Sequence, residues 1–362
     1  MISNQRKQEL LFPYKIVRQE QNKLLLLTEA IIKNKRNLIA HAPTGLGKTA
    51  ATLAPALKEA IKNDLTVLFL TSRHTQHKIA IDTLREIKKL HNIDFGSVSI
   101  IGKKWMCLQP GVENLYSGEF SDYCKKLREE KKCNFYMNAR KNPNKFTISA
   151  VDLLSKIDKI SPLSTEEVID HSDENDMCAY EISLGMAKYA KVIITDYYYL
   201  FHPSISESFL TKIDKELDKL IVIVDEAHNL PNRLKDLASE YLTSSIIHRS
   251  IKEAKKYGYN NTVETLEEIN RLLLKLSMGM NIDSEKTVTR KDFESPLDEA
   301  FDFDQLIGDL IFVADSIREQ QKQSYIGSVA NFLEAWQGKE SGFVRILAYK
   351  QGLREPFIQL HI

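Results

Sequence analysis

The sequence predicts an α/β fold: a parallel sheet covered by helices on both faces and interrupted by two insertions. Three observations carry this prediction. Helical and strand patterns alternate through the first hundred residues. β-Branched runs ending in acidic residues return after position 190. The stretches between and beyond these runs change in composition. Strand, helix, strand with short connections is the order that lays neighbouring strands parallel and buries both faces of the sheet.

Taken in order, "QNKLLLLTEAIIKN" (21 to 34) is an apolar-rich helix and "RNLIAHA" (36 to 42) a short buried strand. "GKTAATLAPALKEAIKN" (47 to 63) is the next helix and "LTVLFLTS" (65 to 72) a second buried strand. The first insertion, about 101 to 180, holds all four cysteines and the irregular "KNPNKF". It also holds a local charge excess: from Lys103 to Lys145 there are ten Lys/Arg against five Asp/Glu. "AKVIITD" (190 to 196) and "KLIVIVDEAH" (219 to 228) resume the strand pattern. From 230 to 338 the chain reads as a mainly helical second insertion, with Leu266, Ile269, Leu273 and Leu276 on one helical face. Val329, Phe332, Leu333 and Trp336 repeat the spacing, and the acidic "DFESPLDEAFDFD" (292 to 304) lies between the two stripes. Stripes of this kind are core. The closing "GFVRILAY" and "PFIQLHI" read as strands that return to the parallel sheet.

Composition bounds the class. With 362 residues, 43% hydrophobic and 27% charged, the chain has core material for two or three domains and does not read as disordered. A net charge of +1 supplies no global field for nucleic acid, so any such binding rests on local patches. No apolar run approaches the length of a membrane span. The opening "MISNQRKQELLFPYKIV" has no apolar core followed by a cleavage site, which predicts a soluble, cytoplasmic protein. Disulfides are uncommon there, so ligation or burial remains for the cysteines.

The sharpest chemical signal is "NLIAHAPTGLGKTA". It has P-loop spacing, with Ala42 in the usual first glycine position. Backbone N–H groups around Thr44, Gly45 and Gly47 wrap phosphate oxygens, the helix N-terminus adds positive potential, Lys48 reaches the β/γ-phosphates and Thr49 offers a hydroxyl to Mg²⁺. "LIVIVDEAHN" supplies the partner: Asp225 ends a strand and can hold Mg²⁺ through water, and Glu226 can orient and deprotonate the attacking water. Together the two motifs predict a P-loop NTPase.

The same motifs resemble those of superfamily 2 helicases, and the neighbouring residues narrow the resemblance to the XPD/Rad3 group of iron–sulfur helicases. "FPYKIVRQEQ" (12 to 21), "LTSRHTQ" (70 to 76) and "CAYEISLGMAKYAKVIITDYYYLFHP" (178 to 203) are similar to stretches of that group, and the likeness runs along essentially the whole chain. It implies a RecA-like motor domain made of residues 1–100, 179–229 and 339–362, an iron–sulfur domain at 101–178 and a helical arch at 230–338 that closes over the cluster domain. It also implies that a second motor domain is missing from this chain. Arg18 and Gln21 would line the adenine pocket. Lys48, Asp225 and Glu226 would be catalytic, and His228 would couple nucleotide state to DNA. Cys107, Cys124, Cys133 and Cys178 would hold a 4Fe–4S cluster, while Arg73, Gln76, Lys103 and Lys104 would contact DNA.

The cysteine spacings of 16, 8 and 44 intervening residues match no zinc finger, and the last gap is longer than the resemblance leads one to expect. Trp105, Tyr116, Phe120, Tyr123, Phe135 and Tyr136 interleave the basic excess as single-strand binders do. His41 and His74 read as packing residues. "DYYYL" (196 to 200) departs from the group at Asp196 and Tyr198, and neither receives a role. The expected activity is ATP-dependent 5′ to 3′ DNA unwinding in repair, by a monomer acting on single-stranded and forked DNA alongside repair proteins and away from membranes. The alternatives are a DinG-like helicase of the same fold and a non-motor, ATP-binding, cluster-containing DNA sensor.

Overall fold

The computed structural model describes all residues except 1–8, 44, 116, 322–323, 339–341 and 354. It divides into two compact units, residues 1–234 and 235–362.

The strands of the first unit are β1 (Thr66–Leu70), β2 (Ser97–Ile100), β3 (Arg140–Asn142), β4 (Lys145–Phe146), β5 (Val192–Thr195) and β6 (Leu220–Val224). Its main helices are α1 (Gln19–Lys33), α2 (Lys48–Lys62), α3 (His74–His91), α4 (Ser117–Glu129), α5 (Asn134–Ala139), α6 (Ile148–Ile160), α7 (Thr165–Asp173), α8 (Ala179–Tyr189) and α9 (Pro203–Ile213). The main sheet runs β2-β5-β1-β6, every pair parallel. All five residues of β1 are buried, as befits a strand with neighbours on both sides. Its alternate side chains feed two cores: Val67 and Phe69 join Leu25, Leu53 and Leu57 of α1 and α2, while Leu68 and Leu70 join Ile100, Ile193 and Ile182. Two covered faces explain why β1 and β5 read as continuous apolar runs rather than alternating ones.

Three expected strands are placed differently. Residues 36–42 form no strand. The chain reaches the P-loop exposed, with Ile39 99% accessible, while β6 stands at the sheet edge. Among the described residues β6 therefore pairs with β1 alone, and apolar groups that a strand at 36–42 would have covered stay exposed, Val222 among them at 41%.

The closing residues do form strands, but in another sheet. In the second unit β7 (Tyr241–Thr243), β8 (Ser284–Thr287), β9 (Ile346–Lys350) and β10 (Phe357–His361) build an antiparallel sheet in the order β7-β10-β9-β8. The expectation that 339–362 rejoins the parallel sheet is therefore corrected. β9 and β10 are adjacent in sequence, and such strands pair antiparallel through a short connection, whereas parallel entry needs a long crossover. Helices α10 (Ser244–Tyr257), α11 (Asn260–Ser277), α12 (Arg290–Phe301), α13 (Phe303–Gln320) and α14 (Tyr325–Trp336) pack with this sheet around one core. Leu266, Ile269, Leu273, Val329, Phe332, Leu333 and Trp336 are all buried in it, and Leu276 packs on its margin. The acidic stretch from 292 forms most of α12, capped by Thr289 and Asp292, and begins α13. Among the described residues no helix is long and apolar enough to cross a membrane.

Candidate functional site

The P-loop closes on two left-handed glycines, Gly45 (φ 84°) and Gly47 (φ 85°), a conformation that costs other residues about 1–2 kcal/mol. A Cβ on Gly47 would collide with Gln21 Nε2. Both residues expected at the adenine pocket grip this loop. The Arg18 guanidinium donates to the Gly45 carbonyl, and the Gln21 amide donates to the Gly47 carbonyl at 3.2 Å. Gln21 is 3% exposed and also accepts from the Arg18 backbone N–H, so α1 is fastened to the turn that opens α2. Thr44 lies outside the described residues. Lys48 begins α2 and is half-buried, as is Thr49.

Across the sheet edge, Asp225 follows β6, its backbone N–H donating to Leu70 O at 2.8 Å. Glu226 takes a left-handed φ of 49°, unusual for a non-glycine residue and frequent where a site constrains the backbone. Its carboxylate meets Lys48 Nζ at 2.9 Å and His228 Nδ1 at 3.3 Å. The two motifs thus converge over 178 positions of sequence. Their carboxylates are tuned in opposite directions. Burial, reinforced by the charge of Glu226, pushes Asp225 above the usual aspartate range. The Lys48 ammonium holds Glu226 below the usual glutamate range, helped by His228 and Arg73. Both shifts suit the chemistry of the site. A desolvated Asp225 gains most from a divalent cation, and Glu226 stays ionised beside the phosphate-binding cation.

The four cysteines line one cavity. Cys107 closes a short 3₁₀ turn (Lys103–Met106), Cys124 lies on α4, and Cys133 and Cys178 are the N-caps of α5 and α8. The 44-residue gap is taken up by the β3–β4 hairpin and helices α6 and α7, an excursion that returns Cys178 to Cys133. A Cys178 N–H to Phe135 O bond of 2.9 Å closes it. Gln109 Nε2 points a donor at Cys133 Sγ, 3.6 Å away. Burial raises the Cys107 thiol and pushes Cys178 up to about 12, with Glu181 adding to the latter. Thiols this reluctant to ionise lose their protons only to a strongly binding, cationic acceptor. Among the described residues no three His, Cys, Asp or Glu side chains converge on a single-ion site. The donor set, four thiols lining one cavity with Lys103 and Arg128 on its wall, is the kind an anionic iron–sulfur cluster takes.

Two family models match the chain: DEAD_2 at residues 69–247 and DEAD/DEAH box helicase at residues 24–113. The general transcription and DNA repair factor IIH helicase subunit XPD of Dictyostelium discoideum is 25% identical over 281 residues, 73% of this chain and 34% of that protein. The XPD/RAD3 subunit of Saccharomyces cerevisiae is 26% identical over 291 residues, with the same shares. The chain carries DEAD_2 and DEAD/DEAH box helicase domains and is XPD-like. A solved XPD helicase shares the fold, with a TM-score of 0.57 at 20% identity over 96% of this chain and 54% of its own. The chain spans about a third of the length of the curated XPD relatives it matches.

The residues expected to contact DNA are divided in this XPD-like chain. Arg73 is exposed at the N-cap of α3, near enough to the DEAH box for its charge to act on Glu226, and Gln76 is half-buried one turn on. Lys103 lies over the Tyr180 ring, 5.5 Å from its centre, and lines the cysteine cavity. Lys104 donates to Leu115 O and lies 4.8 Å from the ring centre of Trp105, which is 60% exposed. Phe120 is buried, so it packs rather than stacks on bases, and Tyr116 lies outside the described residues. Sequence reasoning missed Gln109, Arg128 and Lys212. Burial beside Lys103, Arg128 and Arg140 lowers the Lys212 ammonium, though Glu181 partly offsets it. No local pattern marks Gln109 or Lys212, whose partners Cys133 and Glu181 lie two dozen or more positions away.

Proposed function

We propose that this chain is the first motor half, with cluster and arch insertions, of an ATP-dependent DNA helicase of the XPD type that unwinds duplex 5′ to 3′ in DNA repair. The observation that carries the reading is the 2.9 Å ion pair between Lys48 and Glu226. A phosphate-binding lysine and a water-activating carboxylate stand where a triphosphate would separate them. Lys48 takes the β/γ-phosphates, Thr49 and Asp225 hold Mg²⁺, the latter through water, and Glu226 accepts the proton of the attacking water. His228, already at Glu226, reports the change to the DNA-contacting residues. Arg18 and Gln21 brace the loop and border the adenine. A cluster on Cys107, Cys124, Cys133 and Cys178 would fix the geometry of a cationic surface for single-stranded or forked DNA. Residues 101–178 form the cluster domain in this reading, and the helical unit after 235 corresponds to the arch.

The test is strand displacement by the full-length protein on duplexes with a 5′ or a 3′ single-stranded tail. Unwinding of the 5′-tailed substrate alone, lost in Lys48→Ala while single-strand binding persists, is the expected result. ATP binding without displacement on either substrate would replace the motor reading with a sensor.

A further inference from the structure

The stretch "TDYYY" (195 to 199) starts at the last residue of β5 and carries a hydroxyl at positions 195, 197 and 199, and all three of those hydroxyls hold backbone carbonyls elsewhere. Thr195 Oγ1 donates to Ile100 O at 2.9 Å. The Tyr197 phenol donates to Asp225 O and is also 3.1 Å from Glu226 O. The Tyr199 phenol donates to Ile101 O at 2.8 Å. Tyr197 and Tyr199 are 1% and 6% exposed, so neither phenol has water as a ready substitute partner.

We propose that Thr195–Tyr199 is a positioning strap that carries the nucleotide state of the DEAH box to the cysteine cavity; the proposal rests on the nucleotide-site reading above. At one end, Tyr197 holds the two carbonyls of the residues that meet Lys48 and the metal. Glu226 sits there at a positive φ that its surroundings must maintain. When a triphosphate takes Lys48 from Glu226, the peptide between Asp225 and Glu226 is released from that ion pair, and a buried phenol follows its acceptors. At the other end, Thr195 and Tyr199 hold two successive carbonyls where β2 ends, and β2 leads within seven residues to Cys107. The link from there is stiff: Trp105 N–H bonds Gly102 O at 2.8 Å and Cys107 N–H bonds Lys104 O at 3.3 Å. Tyr199 also lies near enough to Tyr180, two residues after Cys178, for the two phenols to interact electrostatically, so the strap reaches from the approach to the first cysteine towards the exit from the last. Tyr198 faces elsewhere, its phenol 3.4 Å from Arg233 Nη1. Coupling of this kind needs one element whose position both sites bias, and the strap is such an element.

The chain carries its own reporter. It has two tryptophans, of which Trp336 is fully buried and Trp105, beside the cysteine cavity, is 60% exposed, so acrylamide quenches mainly Trp105. In the full chain, saturation with a non-hydrolysable ATP analogue and Mg²⁺ should shift the quenching constant by about twofold. Tyr199→Phe should keep nucleotide affinity by calorimetry yet lose the shift, Tyr197→Phe should lose the shift as well, and Tyr198→Phe should keep both affinity and shift. A shift that survives in both variants, or nucleotide binding without any shift in the wild type, overturns the strap. A wild-type chain that binds no nucleotide overturns instead the reading on which the strap rests. Hydrogen exchange needs no substitution: protection of the amides from Gly102 to Cys107 should change with nucleotide, and unchanged protection counts against the proposal.

Discussion

Lys48 and Glu226 neutralise each other across the nucleotide site, and this pairing sets what single substitutions do. In the proposed mechanism Glu226→Gln removes the carboxylate that competes with phosphate for the lysine, and removes the proposed general base as well. Its two effects therefore run in opposite directions. ATP affinity by calorimetry should rise several-fold, while hydrolysis by phosphate release should fall about 10²–10⁴-fold. Asp225 makes a second prediction. Its folded pKa lies above the usual value because the ionised form is buried beside Glu226. Acidification from neutrality protonates it at a higher pH than an ordinary aspartate, which removes Mg²⁺ binding but relieves the fold of a buried charge. Mg²⁺-dependent nucleotide binding should therefore fade on acidification at a higher pH than an ordinary aspartate would set, before the fold weakens. Asp225→Asn should abolish the Mg²⁺ dependence and leave the melting temperature equal or higher. At this scale the sequence is most readable where spacing carries chemistry. The positions of Lys48, Asp225 and Glu226 follow from two short motifs, whereas Gln109 at Cys133 and Lys212 beside the cationic wall depend on a folded path that no local pattern records.

Elements decide whether four scattered thiols become one site. Two of them cap helices, and the excursion through β3, β4, α6 and α7 brings the second helix start back beside the first. Its packing leaves little room: a Cβ on Gly185 of α8 would come within 2.8 Å of Leu154 and Phe146. Spacing alone makes Cys178 look remote, because spacing shows distance along the chain and not where the intervening helices lead. Protein purified without oxygen should carry about four iron and four sulfide per chain, and Cys133→Ser should lower both. Stoichiometric zinc without iron would contradict the cluster. Strand partners are less legible than strands. Period-two or continuous apolar runs locate β1, β5, β6, β9 and β10, but a run specifies burial and not the neighbour that provides it. That is why sequence pattern puts β9 and β10 in the wrong sheet, and why residues 36–42, with three consecutive apolar side chains, suggest a strand that the edge of β6 does not gain.

For the whole molecule, the alternation of strand and helix patterns is enough to place the parallel sheet, and the helical stripes are enough to place the second core. Charge is distributed rather than accumulated. The formal net charge is +1, yet the stretch from Lys103 to Lys145 carries ten Lys/Arg against five Asp/Glu, and Lys125 and Lys126 project from the exposed face of α4. Binding of single-stranded DNA should weaken steeply with salt, each phosphate contact contributing about −0.7 to the slope of log K against log salt. Lys125→Ala with Lys126→Ala should flatten that slope by roughly 1–1.5 units without changing ATP affinity. A slope left unchanged would mark this face as solvated surface. The central claim is narrower than any of these: a triphosphate with Mg²⁺ occupies the gap between Lys48 and the DEAH carboxylates. Calorimetric titration of Mg²⁺·ATP into the wild-type chain and Lys48→Ala tests it most directly. The account predicts one site per chain, weakened about tenfold or more by loss of the charged phosphate contact, and equal affinity in the two proteins would contradict it.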